Sequence, residues 1–174
     1  LSKEQKELAE ARIAKAGLSN LIKVELRDYR DLEGQYDAVV SVEMIEAVGE
    51  KYWPTYFDAI SKHLKPGGRF GLQAITMPHD RLLASKHAYT WIHKYIFPGG
   101  IIPSREVIEQ YTKEGMKLVD TLSIRMGYAE TLRLWREKFM VNQKKVLALG
   151  FDEEFLRMWQ YYLAYSEAGF RSGH

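Results

Sequence analysis

The chain has 174 residues, 46% of them hydrophobic and 28% charged, which suits one globular domain with a buried core and excludes a disordered segment. Lys and Arg total 25 against 23 Asp and Glu, and a net charge of +2 is too small for a nucleic-acid-binding stripe. Without cysteine there is no disulfide or thiolate chemistry, and no apolar run approaches the ~20 residues that span a bilayer.

Ser2 is placed to cap a first helix, with Glu4 in its first turn and Gly17 as its stop. Ile22, Val24 and Leu26 alternate with Lys23, Glu25 and Arg27, a strand pattern that runs into Asp28-Tyr29. The apolar run 37–42 reads as a buried strand of a parallel sheet. It ends in Glu43 and Glu46, two carboxylates followed by Gly49. Ligands of open α/β sheets bind beyond the carboxyl ends of the strands, so this pair marks a candidate active site.

Trp53, Tyr56, Phe57, Ile60 and Leu64 share one face of a helix over 52–64. Lys65-Pro66-Gly67-Gly68 makes a turn into a second apolar strand, 69–75. A strand, helix and strand with short connections predict a parallel crossover. The segment 22–75 therefore reads β-β-α-β inside an α/β sheet. Further on come an aromatic tract over 78–103, a helix capped by Ser104 and ending near Gly115, and a strand over 118–124. Tyr128, Leu132, Trp135 and Phe139 then stripe a helix that Gly150 closes, and Asp152 caps a last helix.

Four segments carry a family resemblance: Tyr36-Asp37-Ala38-Val39-Val40-Ser41-Val42-Glu43-Met44-Ile45-Glu46-Ala47-Val48-Gly49, Lys65-Pro66-Gly67-Gly68, Trp91-Ile92-His93-Lys94-Tyr95-Ile96-Phe97-Pro98-Gly99-Gly100, and Tyr128-Ala129-Glu130-Thr131-Leu132-Arg133-Leu134-Trp135. The terminal Phe170-Arg171 fits as well. Together they resemble the cyclopropane-fatty-acyl-phospholipid synthases and mycolic-acid cyclopropane synthases, a group of S-adenosylmethionine-dependent methyltransferases. The resemblance implies an α/β class I methyltransferase sheet, Rossmann-like, with a helical substrate-binding insertion over 78–115. Its strand order is 3-2-1-4-5-7-6. Against that order the chain starts after the glycine-rich loop and stops before the last strand, an incomplete sheet in which only strands four and five are neighbours.

The resemblance also assigns roles. Glu46 matches a glutamate that holds bicarbonate, the family's base, and Tyr128 an anion-binding tyrosine. Gln73 stands where relatives commonly have histidine; an amide can donate to bicarbonate but cannot carry its proton. Asp28 and Tyr29 match an adenine-contacting pair, Gln5 lies near the ribose, and Val42 lies near the reacting centre. Trp91, Tyr95 and Phe97, with Tyr89 and Ile96, would line an acyl-chain channel, interspersed with Lys86, His87, His93 and Lys94. Each residue has a plain structural alternative. Glu46 can be an acid at a helix N-terminus, Glu43 a cap, Asp28 a turn residue, Tyr128 and the aromatic tract core, and His79 a solvated loop histidine in place of a substitute imidazole.

The implied reaction adds a methylene or methyl group from S-adenosylmethionine to the double bond of a phospholipid acyl chain, forming a cyclopropane. Gln73 keeps a methylene or methyl branch as the alternative. A catalytically silent lipid-binding module is the reading from another class, and the chain alone is expected to be inactive. Expected surroundings are the cytoplasm, at the inner membrane surface in peripheral contact with phospholipid, with a second copy or another chain supplying the absent strands. No metal and no nucleic acid are expected.

Overall fold

A computed structural model describes residues 2–112 and 114–173. Leu1, Lys113 and His174, which the readings above touch, lie outside them. The described residues divide into two compact units, one of residues 2–75 with Tyr111 and Thr112, the other of 76–110 and 114–173.

The first unit opens on helix α1 (Lys3–Lys15), whose first turn is capped as the sequence predicts: Ser2 Oγ accepts from the Gln5 N–H at 3.2 Å. Strand β1 (Tyr36–Val42), the short helix α2 (Ile45–Val48), helix α3 (Trp53–His63) and strand β2 (Leu64–Gln73) follow. The two strands pair in parallel, with Ala38 opposite Arg69 and Val42 opposite Gln73, so the predicted strand-helix-strand unit is present. Ladder pairing already joins Tyr36 to Leu64 and is irregular before Ala38, across the Lys65-Pro66-Gly67-Gly68 run. Gly68 is required there. A Cβ at this position would sit 2.9 Å from the Lys65 carbonyl oxygen and 3.2 Å from that of Asp37.

The apolar stripe of α3 builds the core of this unit. Trp53, Tyr56, Phe57 and Ile60 are buried together with Ile45 of α2. The Phe57 ring stacks on Tyr111 at 6.5 Å and meets Tyr56 edge-on at 5.1 Å.

The second unit holds α4 (His79–Ser85), α5 (Trp91–Tyr95), α6 (Arg105–Tyr111, whose last residue groups with the first unit), α7 (Arg125–Val141), α8 (Gln143–Ala148) and α9 (Glu153–Ser172). Asp152 caps α9 as predicted, accepting from the Phe155 N–H at 2.8 Å. Helices α7 and α9 pack against each other, and Arg136 of α7 and Arg171 of α9 both donate to the buried Glu167, each at 2.9 Å. Those guanidiniums, Arg136 first, hold the Glu167 carboxyl below its ordinary range.

Several expectations differ from the structure. The run 37–42 forms β1 but is not buried, with Val40 72% and Val42 57% exposed. The stretches 22–26 and 118–124 alternate as strands do, yet neither joins a hydrogen-bonded ladder among the described residues. Alternation makes a strand only when a neighbour supplies the other half of the ladder; Val119 is 93% exposed and Leu122 81%. The helix expected to run to Gly150 breaks at Asn142, whose non-helical backbone separates α7 from α8 while its side-chain amide donates to the Lys138 carbonyl at 2.7 Å. The helix after Ser104 ends at Tyr111.

Candidate active site

The carboxyl ends of β1 and β2 bring Glu43, Glu46, Gln73 and Ile75 together. Val42, the last residue of β1, pairs with Gln73, the last of β2, which puts the two ends level. Between β1 and α2 the chain turns at Glu43 with φ 49°, the left-handed region. It is the one non-glycine residue there among those described. The turn is held by the Glu43 N–H donating to the Gln73 carbonyl at 2.9 Å, and by the Gln73 amide Nε2 donating to Glu43 Oε1 at 3.3 Å. Gln73 is thus in the site, as expected of a polar side chain in an apolar strand.

Glu46 stands in the first turn of α2. Its Oε1 accepts from the Ile75 N–H at 2.6 Å. Its Oε2 is buried and has no hydrogen-bond partner among the described residues. Burial pushes this carboxyl above the ordinary range, and the nearby charge of Glu43 adds to the effect, against backbone hydrogen bonds that pull it down. A half-satisfied buried carboxylate is the arrangement a proton or a proton-carrying anion completes. The helix-N-terminal alternative for Glu46 is met in position, but a dipole partner alone leaves Oε2 unexplained.

Under this end of β1 lies a polar strut that the sequence reading treated as core. The Tyr56 hydroxyl, on a buried ring of α3, donates to Ser41 Oγ of β1 at 2.7 Å. Burial raises the Tyr56 phenol, and the charge of Glu46 contributes in the same direction. Tyr29 meets Tyr56 edge-on at 6.1 Å. The signal in the sequence was the phenol at the i+3 position of the Trp53 stripe: a tyrosine whose body is core needs a partner for its tip.

Asp28 takes the turn role. It caps a single 3-10 turn (Tyr29–Asp31), accepting from the Arg30 N–H at 2.9 Å and from Arg30 Nε and Nη2 at 2.9 and 2.7 Å. The fork from Arg30 holds the Asp28 carboxyl down at about 2. Carboxyl NMR is expected to show Asp28 titrating near that value, and Arg30→Ala, which removes the fork but keeps the residue-30 N–H bond, to raise it toward the ordinary aspartate range. An unchanged midpoint would show that the fork is not formed in solution. Tyr29 is half-buried, and Gln5 is exposed on α1.

The remaining predicted residues belong to the second unit. Tyr128 of α7 stacks on Phe170 of α9, centroids 4.9 Å apart, which joins two of the segments that carried the resemblance. Trp91, half-buried, packs against Tyr161 and Tyr165 at 4.8 and 5.8 Å, and Phe97 meets Tyr162 at 6.0 Å while staying 55% exposed, so neither is a core residue. Tyr95 stays 53% exposed with Lys94 over its ring. His93 closes the α5 capping box with Thr90 and bonds the Gly100 carbonyl at 3.0 Å, a structural role. His79 is not a solvated loop residue: it begins α4, half-buried, with Nδ1 2.7 Å from the fully buried Ser104 Oγ. Ser104 caps α6 through the Val107 N–H, which is why this histidine is drawn in.

A family model for mycolic acid cyclopropane synthetase matches residues 1–174. The chain belongs to the mycolic acid cyclopropane synthetase family. It is 57% identical to the tuberculostearic acid methyltransferase UfaA1 of Mycobacterium tuberculosis, across 100% of this chain and 41% of the relative. It is 37% identical to the cyclopropane-fatty-acyl-phospholipid synthase of Escherichia coli K12, across 99% of this chain and 43% of that protein. The chain thus spans about two fifths of the length of these curated relatives. The crystal structure of the cyclopropane synthase CmaA1 complexed with SAH and CTAB superposes with a TM-score of 0.84 at 25% identity, covering 99% of this chain and 64% of that one. The methyltransferase α/β fold expected of this family is therefore the fold of the chain. Among the described residues no helix is long and apolar enough to cross a membrane, and no cluster of metal-ligating side chains is present.

Proposed function

We propose that the carboxyl ends of β1 and β2 handle the proton in an S-adenosylmethionine-dependent alkylation of the double bond of an unsaturated phospholipid acyl chain. The observation that carries this reading is the buried, unpartnered Oε2 of Glu46 beside the Ile75 N–H that engages Oε1. Glu46 Oε2, held in place by the Ile75 N–H on Oε1, fits a small proton-carrying anion such as bicarbonate; the role of Tyr128 as an anion-binding phenol rests on the resemblance alone. The residues toward the cofactor fit in part: Tyr29 offers a ring face, Val42 the strand end and Gln5 an exposed amide, while both Asp28 oxygens are engaged by Arg30. S-adenosylmethionine, when bound, supplies an electrophilic methyl group. The protein's task is then to orient the alkene, exclude water and accept a proton from a carbocation.

Of the two products, a methylene branch, later reducible to a methyl branch, is favoured over a cyclopropane. Gln73 cannot carry a proton and is bonded to Glu43, and the 57% identical relative is named a methyltransferase, not a cyclopropane synthase. The two products are isomers, so mass alone does not separate them. Incubation of the full-length gene product with S-adenosylmethionine and dioleoyl phospholipid vesicles, followed by proton NMR of the fatty esters, does. We expect vinylidene protons; high-field ring protons would return the assignment to cyclopropane.

A further inference from the structure

We propose that Glu43 is the base that fixes the product of this reaction, taking a proton from the newly added methyl group. The inference rests on the alkylation reading above and names the proton acceptor within it.

The chain adopts a conformation at residue 43 that glutamate rarely takes, and every other described residue at positive φ is glycine. A glycine there would be unstrained, so the position holds a carboxylate against its backbone preference. Strain of this kind persists only where the surroundings over-determine it, and it concentrates at sites that work. Both fixing contacts come from one residue. Gln73 receives the Glu43 N–H on its carbonyl at 2.9 Å and donates its side-chain amide to Glu43 Oε1 at 3.3 Å. The departure from histidine at 73 and the carboxylate at 43 therefore form one unit, in which the amide orients and the carboxylate accepts.

The neighbouring carboxylates then divide the work. Glu46 is half-buried, with one oxygen on the Ile75 N–H and the other without a partner, an environment that favours its neutral form. Glu43 is exposed at the mouth of the same strand end. Glu43, with Oε1 on the Gln73 amide, is the carboxylate placed to receive the proton at this strand end.

The step balances. Alkylation leaves positive charge on the chain carbon next to the methylated one. A hydride moves from the methylated carbon to that neighbour, carrying the charge back to the methylated carbon. A C–H bond of the added methyl group breaks, its electron pair forms the C=C bond of the methylene branch, and its proton bonds to a Glu43 carboxylate oxygen. Cation and carboxylate become neutral alkene and carboxylic acid, with no oxidant or further reactant.

The test uses the full-length gene product, dioleoyl phosphatidylglycerol vesicles and S-adenosylmethionine, with proton NMR of the esters and calorimetric binding of S-adenosylhomocysteine. Glu43→Gln keeps the side chain's shape and removes its basicity. Glu43→Gly removes the side chain and relieves the turn, so loss through misfolding is separated from loss through chemistry. Both variants are expected to form the methylene product about a hundredfold more slowly, with binding of S-adenosylhomocysteine within about twofold of wild type. Glu43→Asp is expected to recover part of the rate. Wild-type rates of methylene formation in Glu43→Gln would overturn the assignment while leaving the alkylation reading intact. A wild-type protein that modifies no acyl chain would overturn both.

Discussion

Glu46→Gln is expected to do two opposite things: slow acyl alkylation by the full-length gene product by about a hundredfold or more, and raise its stability at neutral pH. The first follows from the contribution of a positioned proton-handling group. The second follows from burial. The Glu46 carboxyl is raised above its ordinary value of about 4.5 in the folded chain, so folding favours its neutral form. That contribution is fully present below the unfolded value and is lost as pH rises through the folded one. At pH 7 the wild-type chain holds a half-satisfied, desolvated charge that glutamine does not carry. Thermal unfolding followed across pH should therefore show the variant above wild type at pH 7, with the gap closing below about pH 4.5. A variant less stable than wild type at neutral pH, or one as active, would remove Glu46 from the role assigned to it.

Trp53→Ala is expected to lower the unfolding free energy by about 3–5 kcal/mol, the range for truncating a fully buried aromatic. Trp53 is 1% exposed and packs on Tyr111 at 6.1 Å. Its effect reaches the site because the indole N–H donates to the Ile45 carbonyl at 3.2 Å, which ties the start of α2 to α3 one residue before Glu46. Trp53→Phe keeps much of the packing and loses that tie, so it should cost less stability than alanine while still impairing turnover. Urea denaturation of both variants separates the two contributions. Equal loss in Phe and Ala would mean that the hydrogen bond, rather than ring burial, dominates.

Much of this site was legible in the sequence because the controlling physics is local. The apolar run into Glu43 and Glu46 located the strand end, and the spacing of Trp53, Tyr56, Phe57 and Ile60 drew the buried face of α3. Ser2 and Asp152 announced their helices through capping chemistry, and both caps are formed. Alternation alone could not give pairing; only the strand order that the resemblance implies left strands four and five as sole neighbours, as β1 and β2 are among the described residues. Residues 22–26 have the alternation of a strand, but a ladder needs a second strand, and none joins them among the described residues. Hydrogen bonding between distant residues was equally hidden. The Arg30 fork on Asp28, the Ser104 contact that seats His79, and the Tyr56–Ser41 bond each depend on tertiary approach that no spacing rule encodes. The left-handed turn at Glu43 was the least visible of all, since glutamate carries no signature of positive φ.

The account stands on the carboxyl ends of β1 and β2 being where chemistry occurs. A crystal structure of the full-length gene product with S-adenosylhomocysteine tests that most directly. The ligand's sulfur is expected beside the ends of these strands, next to Glu46, with the adenine toward Tyr29. Density for the ligand in a cavity remote from Glu46 would contradict it.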